Sequence, residues 1–237
     1  MQLFWGSIFG DTAILQGDEA RHCSRVLRKQ PGDEIEVIDG GGTLFHCQIT
    51  GVAKNDVHAQ ILTRTPGFGD LGYELHLAVA PTKNIDRFEW LLEKATEMGI
   101  TTITPLLTNH AERTRVREDR LERILVAAAK QSYKGKLPLL KPITKFQDFL
   151  TLKHTGVCCI AHCYETPRTP LIKALKPNNP VTICIGPEGD FSPEEVETAA
   201  KANFIPVSIG NARLRTETAG MVAVAAVYNY YSGLHQE

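Results

Sequence analysis

Short apolar runs bounded by turn residues constrain this chain more than any other feature. Residues 75–80, 157–161 and 181–185 are almost continuously apolar. Runs too short for helices, without polar alternation, are the mark of strands buried on both faces of a parallel sheet. Between them the period changes. Ile85, Phe88, Leu91, Leu92, Ala95 and Met98 recur at helical spacing, and Gly99 stands where a helix-ending glycine belongs. Leu121, Ile124, Leu125 and Ala128 mark a second helix. Ser192-Pro193-Glu194-Glu195 opens a third, with a capping serine, a proline at the first position and a capping-box glutamate. Residues 101–107 and 205–209 read as strands, and 216–231 as a long Ala/Val-rich helix that must be largely buried. Alternating strands and helices predict an α/β fold with a mostly parallel sheet.

The first 70 residues follow another pattern. Residues 35–37 and 44–49 are β-rich and flank Asp39-Gly40-Gly41-Gly42, a hairpin signal. Residues 57–63 form a third strand. Asp18 reads as the N-cap of a helix over 19–28, with Val26 and Leu27 turned inward. A small β-barrel with one inserted helix is the expected packing. Residues 65–72, rich in Pro and Gly, form the linker, so two domains are expected over 1–70 and 71–237. No apolar run approaches the roughly 20 residues of a membrane span, and the amino terminus has no secretory pattern; the chain is expected in the cytoplasm, away from membranes. Six cysteines form no CxxC pair, and four of them lie in apolar, strand-like surroundings and read as small core hydrophobes. His162 beside Cys159 and Cys163 lacks the paired turn ligands of structural zinc, so no metal is expected.

A net charge of −1 hides an uneven distribution. Residues 1–70 carry −3 and residues 110–145 carry +6. A local basic block suggests a local polyanion contact. Arg113, Arg115 and Arg117 alternate in a loop ahead of a helix, where guanidinium forks suit phosphates. Arg21, Arg25 and Arg28, at i, i+4 and i+7 with His22 beside them, would form a second basic stripe. Two glycine-bearing loops each join a strand to a helix: Ile185-Gly186-Pro187-Glu188-Gly189-Asp190 and Ile209-Gly210-Asn211-Ala212-Arg213-Leu214-Arg215. Ligands in open α/β sheets bind beyond the carboxyl ends of strands, and helix starts supply free N–H groups. Neither loop has a dinucleotide or P-loop spacing. Residue chemistry alone reaches an α/β ligand-binding domain with a basic surface, joined to a small barrel, and leaves open a non-catalytic RNA-binding module and a small-molecule enzyme that binds an anion.

The sequence resembles the RsmE family of bacterial 16S rRNA uridine-N3 methyltransferases, within the SPOUT superfamily. The matching pieces are His22 with Val26-Leu27-Arg28, Lys83 with EWLLEKATEMG (89–99), AAAKQS (127–132) followed by Pro138, IGPEGDFS (185–192) and IGNARLRTETA (209–219). The sequence departs from the family pattern at Asp190, where a second glycine is commoner, and at Leu121, where tryptophan is common. The resemblance implies a PUA-like β-barrel RNA-binding domain followed by a SPOUT-type α/β domain with a carboxy-terminal trefoil knot. It further implies a homodimer, S-adenosyl-L-methionine as methyl donor, and 16S rRNA of the small ribosomal subunit as substrate. A ribose 2′-O-methyltransferase is the runner-up within the superfamily. The resemblance places the cofactor against Ile185, Gly186, Pro187, Gly189, Ile209, Gly210, Leu214 and Thr218. Arg215, Arg213 and Glu217 become the candidate catalytic residues, with Glu188 as another carboxylate. Arg21, His22, Arg25, Arg28, Lys83, Arg113, Arg115 and Arg117 become the candidate RNA contacts.

Overall fold

The structure, a computed structural model, describes residues 2–234; Met1 and residues 235–237, the outer ends of the two expected domains, lie outside the described residues. The chain folds as two compact units. One holds the residues up to Asp70 together with Val126–Leu137; the other holds Leu71–Leu125 and the chain from Pro138 onward.

The first unit is a small curled sheet built from β1 (Leu3–Trp5), β2 (Ser7–Phe9), β3 (Thr12–Gln16), β4 (Glu34–Ile38), β5 (Thr43–Val52) and β6 (Asp56–Pro66), with α1 (Gly17–Arg21) after β3. The strand order is β1-β4-β5-β6-β3-β2. β1 pairs with β4 in parallel, and the other neighbours are antiparallel. The expected hairpin joins β4 to β5. Its turn needs glycine, because Gly40 and Gly42 sit at φ +86° and +93°. Alternation along the strands seats Ile35, Val37, Phe45, Cys47, Ile49, Val57, Ala59 and Ile61 in one core with Phe4 and Leu15.

The helix expected over 19–28 needs correction. Gln16, not Asp18, precedes the helix, and no side chain caps it. After Arg21 the chain widens into a π-helical turn, His22–Val26, in which the Leu27 amide donates to the His22 carbonyl at 3.0 Å. The wider turn rotates the face, so Ala20 and Cys23 are buried while Val26 is 66% exposed and Leu27 36%. The expected inward turn of Val26 and Leu27 is therefore wrong. Arg28 lies beyond this turn at φ +56°. Arg21, Arg25 and Arg28 are all exposed, but not as one regular helical stripe.

The second unit contains β7 (Leu75–Val79), α2 (Ile85–Glu97), β8 (Thr102–Leu107), α3 (Glu118–Gln131), β9 (Leu139–Leu140), β10 (Thr144–Lys145), α4 (Phe146–Thr151), β11 (Val157–Ala161), β12 (Thr169–Pro170), α5 (Leu171–Ala174), β13 (Val181–Ile185), α6 (Pro193–Lys201), β14 (Ile205–Ser208) and α7 (Thr216–Leu234). The second half of α3 belongs to the first unit. The main sheet runs β10-β8-β7-β13-β11-β14-β12, with β9 paired to β8, and every pairing is parallel. All strands therefore deliver their carboxyl ends to one edge. β7 leads away through α2 to β8, while its neighbour β13 leads the other way through α6 to β14. Such a reversal opens a crevice at the strand ends. β13 is buried at every residue. Below it, Phe146, Phe149, Phe191 and Phe204 pack with Ile160, Cys184 and Leu106. β9, β10, β12, α4 and α5 have two to six residues each, too short for periodicity to register in the sequence.

The helix signals of this unit hold. Asn84 caps α2 by accepting from the Asp86 amide at 3.1 Å, and Gly99 follows the helix at φ +75°. Ser192 and Glu195 form the reciprocal capping box of α6, with Pro193 at its first position. Gly220 lets α7 lie close to α2, because a β-carbon there would stand 2.8 Å from Leu91. Cys23, Cys47, Cys159 and Cys184 are buried, and burial pushes the Cys159 thiol up to about 12.

Gly156, at φ +76° just before β11, would drive a β-carbon into the Pro180 carbonyl oxygen. Gly156→Ala should cost about 2 kcal/mol or more, read as a shift of the denaturant midpoint. A second expectation concerns acid. His76 on β7 hydrogen-bonds Thr104 at 2.8 Å and packs edge-on against Phe149. Burial lowers its pKa to about 4. Between pH 6.5 and about 4 the unfolded chain takes up a proton that the folded chain refuses, so this contribution to stability is lost as pH falls through that window. His76→Gln should flatten the pH dependence of unfolding there relative to the parent protein.

Candidate active site

Five loops leave the carboxyl edge of the parallel sheet side by side, and their spacing follows from strand order. The loop after β13 carries Gly186 to Asp190. The loop after β14 carries Ile209 to Arg215. These two strands are not neighbours: β11 lies between them. At a strand spacing of about 4.8 Å their roots stand about 10 Å apart. The loop after β11, His162-Cys163-Tyr164, rises in the gap.

The β13 loop is tightly fixed. Gly186 and Pro187 are buried, and a β-carbon on Gly186 would come within 3.0 Å of the Phe191 amide. Asp190 turns the chain at φ +62°, where glycine would be the easiest residue and aspartate is among the tolerated ones. Its carboxylate gives a reason for aspartate here, since it accepts from the amides of Cys163 and Phe191, both at 2.7 Å. The first bond ties the β13 loop to the β11 loop. From the other side, His110 Nδ1 lies 3.0 Å from the carbonyls of both Gly189 and Asp190. Glu195, 4% exposed, accepts from the Ser192 amide at 2.8 Å and from the Asn109 amide at 2.9 Å. Asn109 in turn donates to Ser192 Oγ at 3.1 Å. The loop after β8 thus latches onto the start of α6.

The β14 loop has the opposite character. No backbone amide from Gly210 to Leu214 donates to another described residue. Gly210, at φ +142°, is exposed, and Ile209 and Leu214 are half-buried. The side chains of Arg213 and Arg215 are exposed and hydrogen-bond no described residue. Thr218 is exposed on the first turn of α7. Arg213 and Asp190 both act electrostatically on Cys163 in the β11 loop, with Asp190 the stronger of the two.

Glu217 lies elsewhere. It is 8% exposed, and one oxygen stands 3.7 Å from Arg87 Nε on α2. Its other oxygen has no hydrogen-bond partner among the described residues. Its carboxylate faces α2 and does not bond Arg213 or Arg215. Glu188 is exposed, and its Oε1 accepts from the Lys83 amide at 3.0 Å, joining the β13 loop to the loop after β7.

His162 carries no signal in the sequence beyond its place after an apolar run. It is 5% exposed, and neither ring nitrogen has a hydrogen-bond partner among the described residues. Burial lowers its pKa, which leaves a neutral ring with one donor and one acceptor unused. Buried polar atoms are seldom left unpaired, and both nitrogens of this ring are closed to solvent at the start of the β11 loop. The unused amides of the β14 loop and the half-buried apolar Ile209 and Leu214 within it suit the polar edge and flat face of a nucleoside.

Among the expected RNA contacts, Arg113 donates to the carbonyls of Thr82 and Lys83 at 3.1 and 2.8 Å. Lys83 pairs with Glu112 at 2.8 Å, and Arg117 with Asp119 at 2.9 Å. Arg115 is exposed. In the first unit, Arg21 pairs with Asp18, and His22 touches the Gln2 side chain.

Asp190 separates two contributions that substitution can resolve. Asp190→Gly should lose the carboxylate bonds alone, whereas Asp190→Ala should also pay for a left-handed backbone. Alanine is therefore expected to be about 1 kcal/mol less stable than glycine at this position in urea denaturation.

Residues 70–228 match the family model of an RNA methyltransferase domain, and residues 15–62 that of an RNA methyltransferase PUA domain. A ribosomal RNA small subunit methyltransferase E of Synechocystis is 32% identical over 91% of this chain and 72% of its own length. Its namesake from Bacillus subtilis is 25% identical over 91% and 89%. Among solved structures, a probable rRNA-methyltransferase of Porphyromonas gingivalis aligns with a TM-score of 0.93 and 35% identity, covering 99% of this chain and 100% of that one. A ribosomal RNA small subunit methyltransferase E of Neisseria gonorrhoeae, solved bound to S-adenosyl methionine, aligns with a TM-score of 0.83 and 25% identity over 97% of each chain. The matched model covers most of the chain, including both glycine loops, the His162 loop and the basic segment, and the chain therefore belongs to the ribosomal RNA small subunit methyltransferase E family.

Proposed function

We propose that this protein uses S-adenosyl-L-methionine to methylate N3 of a uridine in 16S rRNA of the small ribosomal subunit, in the cytoplasm. The observation that carries the proposal is the carboxyl edge of the parallel sheet. There a loop with unused amides and two unpaired arginines stands one strand away from a rigid glycine loop, with a buried, unpaired imidazole between them. The names of the relatives, and the bound S-adenosyl methionine of the Neisseria protein, support the cofactor and substrate classes.

Bound S-adenosylmethionine supplies an electrophilic methyl group. The chain holds it with backbone groups of Ile185, Gly186, Pro187, Gly189, Ile209, Gly210 and Leu214, with Thr218 at the first turn of α7. N3 of uridine carries a proton and is a poor nucleophile, so the protein must stabilise the anion that forms on the ring. Arg215, exposed and unpaired, supplies that charge, with Arg213 beside it. Glu217, turned toward Arg87, supports the start of α7. Orientation of the two substrates supplies up to about 7–11 kcal/mol, so no strong base is needed and the N3 proton passes to solvent water. The first unit acts as a PUA-like barrel that contacts RNA through Arg21, His22, Arg25 and Arg28. In the second, Lys83, Arg113 and Arg115 face the substrate backbone, while Arg117, paired with Asp119, stands at the edge of the basic segment. The family resemblance further supports a trefoil knot in the second unit and a homodimer.

Small subunits lacking the modification, incubated with the protein and methyl-labelled cofactor, should yield 3-methyluridine on nucleoside mass spectrometry. A 2′-O-methylated nucleoside instead would assign the ribose reaction, and absence of label would refute methyl transfer. Arg215→Ala should lower kcat about 10²- to 10³-fold while calorimetry shows the cofactor still bound.

A further inference from the structure

An open cavity of about 410 Å³ is lined by Lys83, Glu112, Arg113, Thr114 and Arg115. Three of these side chains are cations and one is an anion. The cavity adjoins the β13 loop, because the Lys83 amide donates to Glu188 in that loop at 3.0 Å.

Its cations are not equivalent. Arg113 is anchored: Nε donates to the Thr82 carbonyl at 3.1 Å and one Nη to the Lys83 carbonyl at 2.8 Å. No acidic side chain pairs with it among the described residues, so it presents an uncompensated charge at a fixed place. Arg115 is exposed, and its side chain has no hydrogen-bond or ion-pair partner among the described residues. Lys83 alone is compensated. Its ammonium lies 2.8 Å from Glu112 Oε2, and that contact raises the pKa of the lysine. Arg117, two residues on, is spent on Asp119 at 2.9 Å and does not line the cavity.

We infer that this cavity is a phosphodiester subsite for the RNA strand beside the reacting nucleotide, and that Glu112 is a built-in competitor holding Lys83 until a phosphate replaces it. The inference rests on the RNA-methylating reading above and deepens it. Charge complementarity commits the site to a polyanion: two guanidinium groups and a lysine outnumber the one carboxylate that lines the cavity, with Glu188 at its edge beside Lys83. Bidentate guanidinium contacts suit phosphate oxygens. The Lys83–Glu112 pair is 74% and 54% exposed at its two side chains, and exposed pairs of this kind are weak. An incoming phosphodiester exchanges one anion for another at Lys83 and gains the two arginines besides. Glu112 thereby favours ligands that engage several cations at once over isolated anions.

The test measures binding of a fluorescent single-stranded oligouridylate by anisotropy across a potassium chloride series, with cofactor calorimetry as the control for folding. Glu112→Gln should tighten RNA binding about two- to fivefold and steepen its salt dependence, because Lys83 is released. Arg115→Gln should weaken it and flatten the log–log salt slope by about 0.7, one single-strand phosphate contact. Arg117→Gln should change the slope far less than Arg115→Gln. Free phosphate should compete weakly with the oligonucleotide in both the parent and Glu112→Gln proteins. The inference is overturned if Glu112→Gln leaves RNA affinity unchanged or weakens it, or if Arg115→Gln leaves the slope unchanged. If the parent protein labels small-subunit RNA and either of these results is obtained, the inference fails while the proposed function stands. If the parent protein labels nothing, that function fails first.

Discussion

β13 is the strand on which the second unit depends. It is buried at every residue and pairs in parallel with β7 on one side and β11 on the other. A parallel strand buried on both faces fixes direction as well as position, because its neighbours must enter from the same end. Every loop that follows a strand in this sheet is consequently brought to one edge. Residues more than a hundred positions apart in sequence, such as Lys83 and Glu188, meet there as a result.

At that edge the structure divides rigidity unequally. The β13 loop is held from two sides, by Asp190 to the β11 loop and by His110 to the β8 loop, while Glu195 bridges the start of α6 to Asn109. Among the described residues, the β14 loop has free amides and two unpaired arginines. A site that binds a flat polar ligand and then stabilises charge on a second one benefits from this division. One wall is preorganised, and the other leaves its donors unused among the described residues.

Local chemistry makes much of this legible in the sequence. The Ser192–Glu195 capping box, Gly99 behind α2 and the glycine turn between β4 and β5 all stand where their residues indicated, because each depends on contacts within a few positions. The amino-terminal helix did not, since a π-helical turn rotated Val26 and Leu27 outward and took Arg28 out of register with Arg21 and Arg25. No periodicity argument anticipates an inserted residue in a helix whose one buried face is decided by the surrounding sheet. The resemblance of the glycine loops and their flanking segments supplied the family, which composition and spacing did not reach.

By itself the sequence determined the kinds of element, the alternation that forces a parallel α/β sheet, and the motifs at the two strand ends. Their order across the sheet was decided only in the tertiary structure. β11, distant from both glycine loops in spacing and motif, lies between their strands and brings His162 and Cys163 into the site. Glu217, which its motif placed beside the arginines, instead turns toward Arg87. The reason is physical. Strand composition reports burial and direction, but which buried strand pairs with which is settled by long-range packing and hydrogen-bond ladders, and neither leaves a local trace in the chain.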